Sequence, residues 1–305
     1  MRKFPESNYW AIFNDGVTVR FVYDPKKPIT NLQYPEFYDI KITNTCSGKC
    51  PWCYMNSQEN EPHYPEIVQK FKDFFGPMTM NQKPFQIAFG GGNPNEHPEF
   101  CKLMEVCSEM GIMPNYTTNG IGLTDSVIRA TYSYCGGVAI STHSHLEDTW
   151  KMAVQRIKCG IVSPYPKCLE LPPFVHLTRP ENMEPLRVNL HIIVSDKASI
   201  QRMAAIYEEF KTRINYFVLL PQVAQGRATT GFEEEEFLFS TLRTIGDLKQ
   251  FAFGAKLYPA LCRQKQQGTP LDVMLYEPEI MSKFIDFKDM KMYPSSFDMG
   301  VTYVK

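Results

Sequence analysis

The chain has 305 residues, 43% of them apolar, 13% aromatic and 21% charged. That composition excludes disorder, collagen and coiled coil, and suits one large α/β unit with additions or two to three smaller domains. Its 32 basic and 33 acidic residues leave a net charge of −1 without a basic stripe, so nucleic acid is not implied.

Residues 1–35 read as an N-terminal hairpin and linker. The stretch 9–23 holds two β-rich runs around Asn14-Asp15-Gly16, where glycine supplies the positive φ of a tight turn. No run of about 18 apolar residues is present to cross a membrane. The start, Met1-Arg2-Lys3-Phe4-Pro5-Glu6, lacks the apolar core of a secretory signal, so a cytoplasmic protein with no membrane partner is expected.

From residue 36 to 230 short apolar strands alternate with helical spacing. The strands are expected at 38–43, 85–89, 113–117, 137–141, 187–194 and 215–220, each closed by Gly, Pro, Asn or Ser. Helices are expected at 65–75, 98–110, 125–132, 146–158 and 198–212. In the last, Ile200, Met203, Ala204, Tyr207 and Phe210 form one apolar stripe. Such alternation predicts parallel strands joined by crossovers, in an open or partial barrel or a doubly wound sheet; periodicity alone does not choose. Either arrangement places ligands at the carboxyl ends of the strands.

Two segments break the pattern. Residues 159–186 carry six of the 23 prolines, Pro164, Pro166, Pro172, Pro173, Pro180 and Pro185, and read as a long loop: a solvated insertion or a substrate-binding lid. Residues 231–305 form a C-terminal extension with an apolar run at 251–261 and a β-like ending at 300–304. It is expected to cover one end of the parallel unit. The acidic run from Glu233 to Glu236 reads as a helix N-terminus, where negative charge meets the helix dipole.

Nine cysteines in a chain of this kind point to metal or redox chemistry rather than a disulfide framework. Three of them, in Cys46-Ser47-Gly48-Lys49-Cys50-Pro51-Trp52-Cys53, directly follow the first strand. Three thiolates on one loop can each bind a different iron of a cuboidal cluster and leave a fourth iron open. A structural zinc would need a fourth ligand, for which His63 is the nearest candidate. A redox pair would use Cys50 and Cys53 and leave Cys46 idle. Cys101, Cys107 and Cys135 read as core packing.

The CxxxCxxC motif with an aromatic residue, Trp52, before its last cysteine resembles that of the radical S-adenosylmethionine (radical SAM) enzymes. The resemblance continues at four later strand ends. Gly90-Gly91-Gly92-Asn93-Pro94 is similar to the family's Gly-Gly-Glu-Pro stretch, with Asn93 in place of the glutamate that meets the SAM amino group. Thr118-Asn119-Gly120 is similar to its Thr-Asn-Gly turn, and Ser141 to its strand-end serine. The stretch Gln222-Val223-Ala224-Gln225-Gly226 is similar to its adenine-contacting turn.

The resemblance spans about 38–228 and implies a partial (β/α)6 TIM-like barrel. It also implies a [4Fe-4S] cluster on Cys46, Cys50 and Cys53, and SAM on the open iron. Reductive cleavage of SAM would then give a 5′-deoxyadenosyl radical that takes hydrogen from an organic substrate. It places Trp52, Tyr54, Gly91, Gly92, Asn93, Ser141 and Val223 around the cofactor, with Tyr54 over the adenine unless it is core. By alternation Asn189 and His191 share one face, and with the strand-end His143 they are candidate contacts or satisfied interior residues.

After Cys168 only Cys262 remains, too few for a second cluster. Cys168 and Cys262 are candidate hydrogen-donor thiols. A peptide or protein residue is the preferred substrate, because the insertion and terminal segments could shape an open groove. The alternatives are a nucleotide, sugar or other small metabolite, and a non-catalytic iron–sulfur or zinc protein. Flavodoxin or ferredoxin is the kind of electron donor the family implies.

Overall fold

The N-terminal strands are β1 (Arg2–Phe4), β2 (Tyr9–Asn14) and β3 (Val17–Phe21), an antiparallel sheet in the order β1-β2-β3. The expected hairpin is β2 on β3, joined by an additional strand. Its turn at Asp15 and Gly16 lies outside the described residues. The structure, a computed structural model, describes residues 1–14, 17–30, 32–162, 175–181, 183, 185–268 and 278–298. A buried guanidinium fixes this sheet to the rest of the chain: Arg2 donates to the carbonyls of Tyr34, Pro35, Asn81 and Gln82. Tyr9 and Arg20 both donate to the Glu36 carboxylate, at the foot of the next strand.

That strand is β4 (Phe37–Thr43). It is followed by α1 (Ile67–Phe75), β5 (Gln86–Gly91), α2 (Phe100–Glu109), β6 (Met113–Thr118), α3 (Asp125–Tyr134), β7 (Gly137–Ser141) and α4 (Glu147–Cys159). A two-stranded antiparallel pair, β8 (Ile161–Val162) and β9 (Val175–His176), interrupts the alternation within the proline-rich segment, most of which lies outside the described residues. It resumes with β10 (Arg187–Val194), α5 (Lys197–Phe210) and β11 (Tyr216–Pro221). The C-terminal part adds α6 (Glu235–Ile245), β12 (Phe251–Phe253), α7 (Tyr258–Gln266), α8 (Pro278–Met281), β13 (Ser282–Asp286) and β14 (Lys291–Tyr293). Glu235 and Glu236 occupy the first turn of α6, as the acidic run predicts.

The main sheet has nine strands in the order β12-β11-β10-β7-β6-β5-β4-β13-β14, all parallel except β14. From β4 to β11 spatial order follows chain order. A doubly wound sheet requires a reversal within that run, and there is none. The two faces differ accordingly. On β10, Val188, Leu190, Ile192 and Val194 are buried in a core shared with Ile200, Met203, Tyr207 and Phe210 of α5. Arg187, Asn189, His191 and Ile193 point to the other face, which lines cavities. The period of two in the strand and the stripe on the helix are one packing arrangement seen from both sides.

The C-terminal extension, expected to cover one end of the parallel unit, also joins its sheet. β12 adds to β11 and β13 adds to β4, so the extension occupies both edges of the parallel sheet and satisfies their open backbone groups. The ending at 300–304 lies outside the described residues. Among the described residues, no helix is long and apolar enough to cross a membrane.

Candidate active site

The loop from Cys46 to Cys53 leaves β4 at the carboxyl end of the sheet, and all three cysteines line a cavity of about 620 Å³. Enclosure pushes the Cys50 thiol up to about 12, with the neighbouring Cys46 and Cys53 adding to the shift; Cys46 is also raised, chiefly by burial. Thiols close enough to oppose one another's ionisation suit a cationic metal group that displaces their protons. No three His, Cys, Asp or Glu side chains among the described residues stand as ligands of one shared ion. A zinc needs its ligands around one centre, whereas cluster thiolates each bind a separate iron and stand further apart. The donor set therefore fits a cluster better than a zinc.

Four neighbouring strand ends hold this loop. Behind β5, Gly92 N donates to Thr43 O at 2.8 Å and Asn93 N to Thr45 O at 2.9 Å. A Cβ on Gly92 would overlap the Thr45 carbonyl, so only glycine permits the approach. Glu96 accepts from the Ser47 hydroxyl at 2.8 Å. After β6, Asn119 Nδ2 donates to Cys46 Sγ at 3.4 Å. After β7, His145 Nε2 meets Gly48 O at 2.8 Å. After β11, Arg227 Nε donates to Cys50 O at 2.9 Å, its Nη1 to Ser57 O at 2.8 Å and its backbone N to Cys53 O at 3.0 Å. Gly226, with φ +64°, lets that turn approach, since a Cβ there would overlap the Cys53 carbonyl.

Arg227→Ala removes the donors to Cys50 O and Ser57 O; Cys50 O keeps only the long 3.4 Å bond from Cys53 N, and each lost bond is worth about 1–3 kcal/mol. The expected outcome is several-fold lower iron and sulfide per chain after reconstitution and desalting, with unchanged far-UV circular dichroism. Arg227→Lys should fall between, because one ammonium cannot span both carbonyls.

Trp52, Tyr54, Gly91, Gly92, Ser141, His143 and His191 all border the cavity. Trp52 packs against His143 and His145, at ring-centroid distances of 6.0 and 5.4 Å, and the two imidazoles stack on each other at 5.6 Å. Burial lowers both His143 and His191 to about 4, so each is neutral at pH 7. His191 pairs in register with Ser141 across β10 and β7. Tyr54 donates to Ser296 Oγ at 3.3 Å and packs on Phe297, so it is tied to the C-terminal segment.

Other expected positions stand away from the lining of the main cavity. Asn93 does not border the cavity. Its Nδ2 donates to Glu96 and Ile121 and its Oδ1 accepts from Thr118 and Asn119, so the amide holds loops together. Asn189 borders a second cavity of about 400 Å³, because it lies two residues nearer the start of β10 than His191. Val223 borders neither cavity; its turn meets the cysteine loop through Gly226 and Arg227. Cys262 on α7 borders neither, although Tyr258 and Pro259 of that helix reach the main cavity. Cys168 lies outside the described residues.

Sequence reasoning missed Arg227, Glu96, His145 and Asp39. The first two carried a signal by position, since Glu96 stands two residues after the Gly90–Pro94 stretch and Arg227 directly after Gly226. His145 and Asp39 carried none. The C-terminal extension was also missed as a cavity wall, to which it contributes Lys256, Lys283 and Phe297 among others.

No protein-family model matches the chain. Among solved structures it is similar to SuiB of Streptococcus suis bound to the precursor peptide SuiA, with a TM-score of 0.63 at 14% identity over 90% of this chain and 62% of SuiB. SuiB bound to S-adenosylmethionine gives 0.59 at 14% identity, over 87% of this chain and 61% of that one. The structure of anSMEcpe with AdoMet and the Cp18Cys peptide gives 0.51 at 13% identity, over 86% and 74%. A curated relative, 7,8-dihydro-6-hydroxymethylpterin dimethyltransferase of Methanocaldococcus jannaschii, is 28% identical over 87 residues, 28% of this chain and 17% of that protein. The chain thus spans less than two thirds of SuiB and under a fifth of the curated relative. SuiB and anSMEcpe are radical SAM enzymes. This chain shares the fold of those structures, and its CxxxCxxC stretch lies on the loop after the first strand of the parallel sheet.

Proposed function

We propose that the protein is a radical SAM enzyme with one [4Fe-4S] cluster on Cys46, Cys50 and Cys53 and S-adenosylmethionine beside it, acting on an organic substrate. The observation that carries this reading is the opening of all three thiols into one cavity at the carboxyl ends of the strands, of a size that takes a cofactor and part of a substrate. When bound, the cluster would supply the electron that breaks the sulfonium bond of SAM and so start hydrogen abstraction.

The chain's own residues position and enclose. Gly90 has no atom within 4 Å of where a Cβ would stand, so a ligand can lie on its backbone. Ser141 and the neutral His143 and His191 offer hydrogen bonds without adding charge, and Trp52 closes one wall. The units from β4 to β11 are read as a partial (β/α)6 barrel spanning 36–230, flanked by an N-terminal unit, 1–35, and an extension, 231–305. None of the eight described cysteines forms a disulfide with another, which suits the reducing cytoplasm.

A peptide or protein residue is the preferred substrate. It is supported by the likeness to structures that hold a precursor peptide and the Cp18Cys peptide. A nucleotide, sugar or other small metabolite is the second reading, favoured by the short match to a transferase named for a pterin. A flavodoxin or ferredoxin would serve as electron donor. The test is anaerobic reconstitution with iron and sulfide, reduction by dithionite and addition of SAM. 5′-Deoxyadenosine is the expected product, and a reduced four-iron cluster that leaves SAM intact would favour a non-catalytic iron–sulfur protein.

A further inference from the structure

Asp39 lies midway along β4 and borders both cavities. Ala88 of β5, Thr117 of β6 and His191 of β10 border both as well, so the two cavities meet at a waist formed by the middle of these strands. Two residues along β4, Lys41 is placed differently: its Nζ stands 3.5 Å from Asp286 Oδ2 on β13, and both side chains are largely buried. Asp39 has no such partner. Among the described residues no hydrogen bond or ion pair reaches its carboxylate, and no cation stands near enough to act on it. Its side chain is exposed to the water of the cavity, and the protein around that cavity pushes the carboxyl up to about 7.

A carboxylate that lines a cavity and has no partner within the chain is available to a ligand, and shifted carboxyls of this kind gather at binding sites. Asn189 lines the second cavity, and its buried Oδ1 has no hydrogen-bond partner. The other groups at the waist are the Thr117 hydroxyl and neutral His191, so Asp39 is the one formal charge there. Arg179 and Arg187 border only the second cavity and do not act on Asp39. Open acceptors of this kind are complementary to a group rich in N–H donors and carrying positive charge.

We propose that Asp39 is a substrate-binding carboxylate and that the substrate presents to it an ammonium or guanidinium group, seated at the waist between the two cavities. This rests on the reading of the main cavity as the reaction site, and it specifies which class of organic substrate enters.

The probe is benzylammonium, compared with neutral benzyl alcohol, titrated into reconstituted protein by calorimetry. Wild type should bind the cation at least about ten-fold more tightly. Asp39→Asn should remove the preference and Asp39→Glu should retain part of it. Equal affinities in wild type, no saturable binding of the cation, or a preference that survives Asp39→Asn would each overturn the proposal. Should Asp39→Asn fail to fold, a wild-type crystal soaked in benzylammonium decides: nitrogen within hydrogen-bond distance of Asp39 supports it, and nitrogen elsewhere overturns it. Cleavage of SAM by wild type is scored separately. Its absence would remove the proposed function and leave the ammonium preference standing, whereas a cleaving enzyme without the preference loses this inference alone.

Discussion

Cys50→Ala abolishes the brown chromophore of the reconstituted protein and its cleavage of SAM together, lowering the latter more than about 100-fold. The reasoning is one of ligand number. Each thiolate of the motif would hold a different iron, so removing one exposes a second iron and lets the cluster fall apart rather than weaken. Cys50 is 7% exposed and its side chain is small, so truncation to alanine creates little cavity and costs the apo fold about 1 kcal/mol. Iron content, visible absorption and 5′-deoxyadenosine formation should therefore collapse while thermal unfolding of the apo protein hardly moves. Retained cleavage in this variant would separate the motif from the chemistry.

Gly92→Ala should be as damaging through a different route. The added Cβ would overlap the Thr45 carbonyl oxygen and crowd the backbone of Asn44, neither of which is a flexible side-chain end. Gly92 N also donates to Thr43 O, so the two segments cannot part without losing a backbone hydrogen bond. Overpacking of this sort costs about 1–3 kcal/mol, and here the displaced segment leads directly into Cys46. The expected result is a folded protein with a lowered melting temperature and a small fraction of the wild-type iron. Gly90→Ala, where the space is open, is the control and should keep the cluster.

These two variants show how much of the site was legible in the sequence. The cysteine spacing and the six strands could be read from local signals, because each strand is short, apolar and punctuated by turn residues, whereas their order in the sheet could not. The second motif was legible as a stretch and misleading in detail. Its glycines suggested close approach to a ligand, and Gly91 and Gly92 instead admit the backbone of the cysteine loop, while Gly90 alone faces open space. Asn93 looked like a cofactor contact because it occupies an acidic position of the family motif. Its hydrogen bonds to Thr118, Asn119 and Ile121 come from β6 and its loop, which no local pattern reveals.

The same reason hides Asp39 and Arg227. A lone acidic residue in an apolar strand marks one face but not what lies opposite, and here the opposite wall is built by β6 and β10. Arg227 binds carbonyls 170 and 177 positions earlier in the chain. Even the C-terminal extension, read as a cover, supplies both edge strands and part of the cavity wall, since pairing between the first and last parts of a parallel sheet leaves no trace in hydrophobic period.

The central claim is that three thiols hold a cluster with one iron left for a sulfonium cofactor. Electron paramagnetic resonance of the dithionite-reduced, reconstituted protein tests it most directly, recorded before and after SAM is added. The account predicts about four iron atoms per chain and a reduced-cluster signal whose g values shift on adding SAM. A signal that SAM leaves unchanged, or a protein that takes up a single zinc in place of iron, would contradict it.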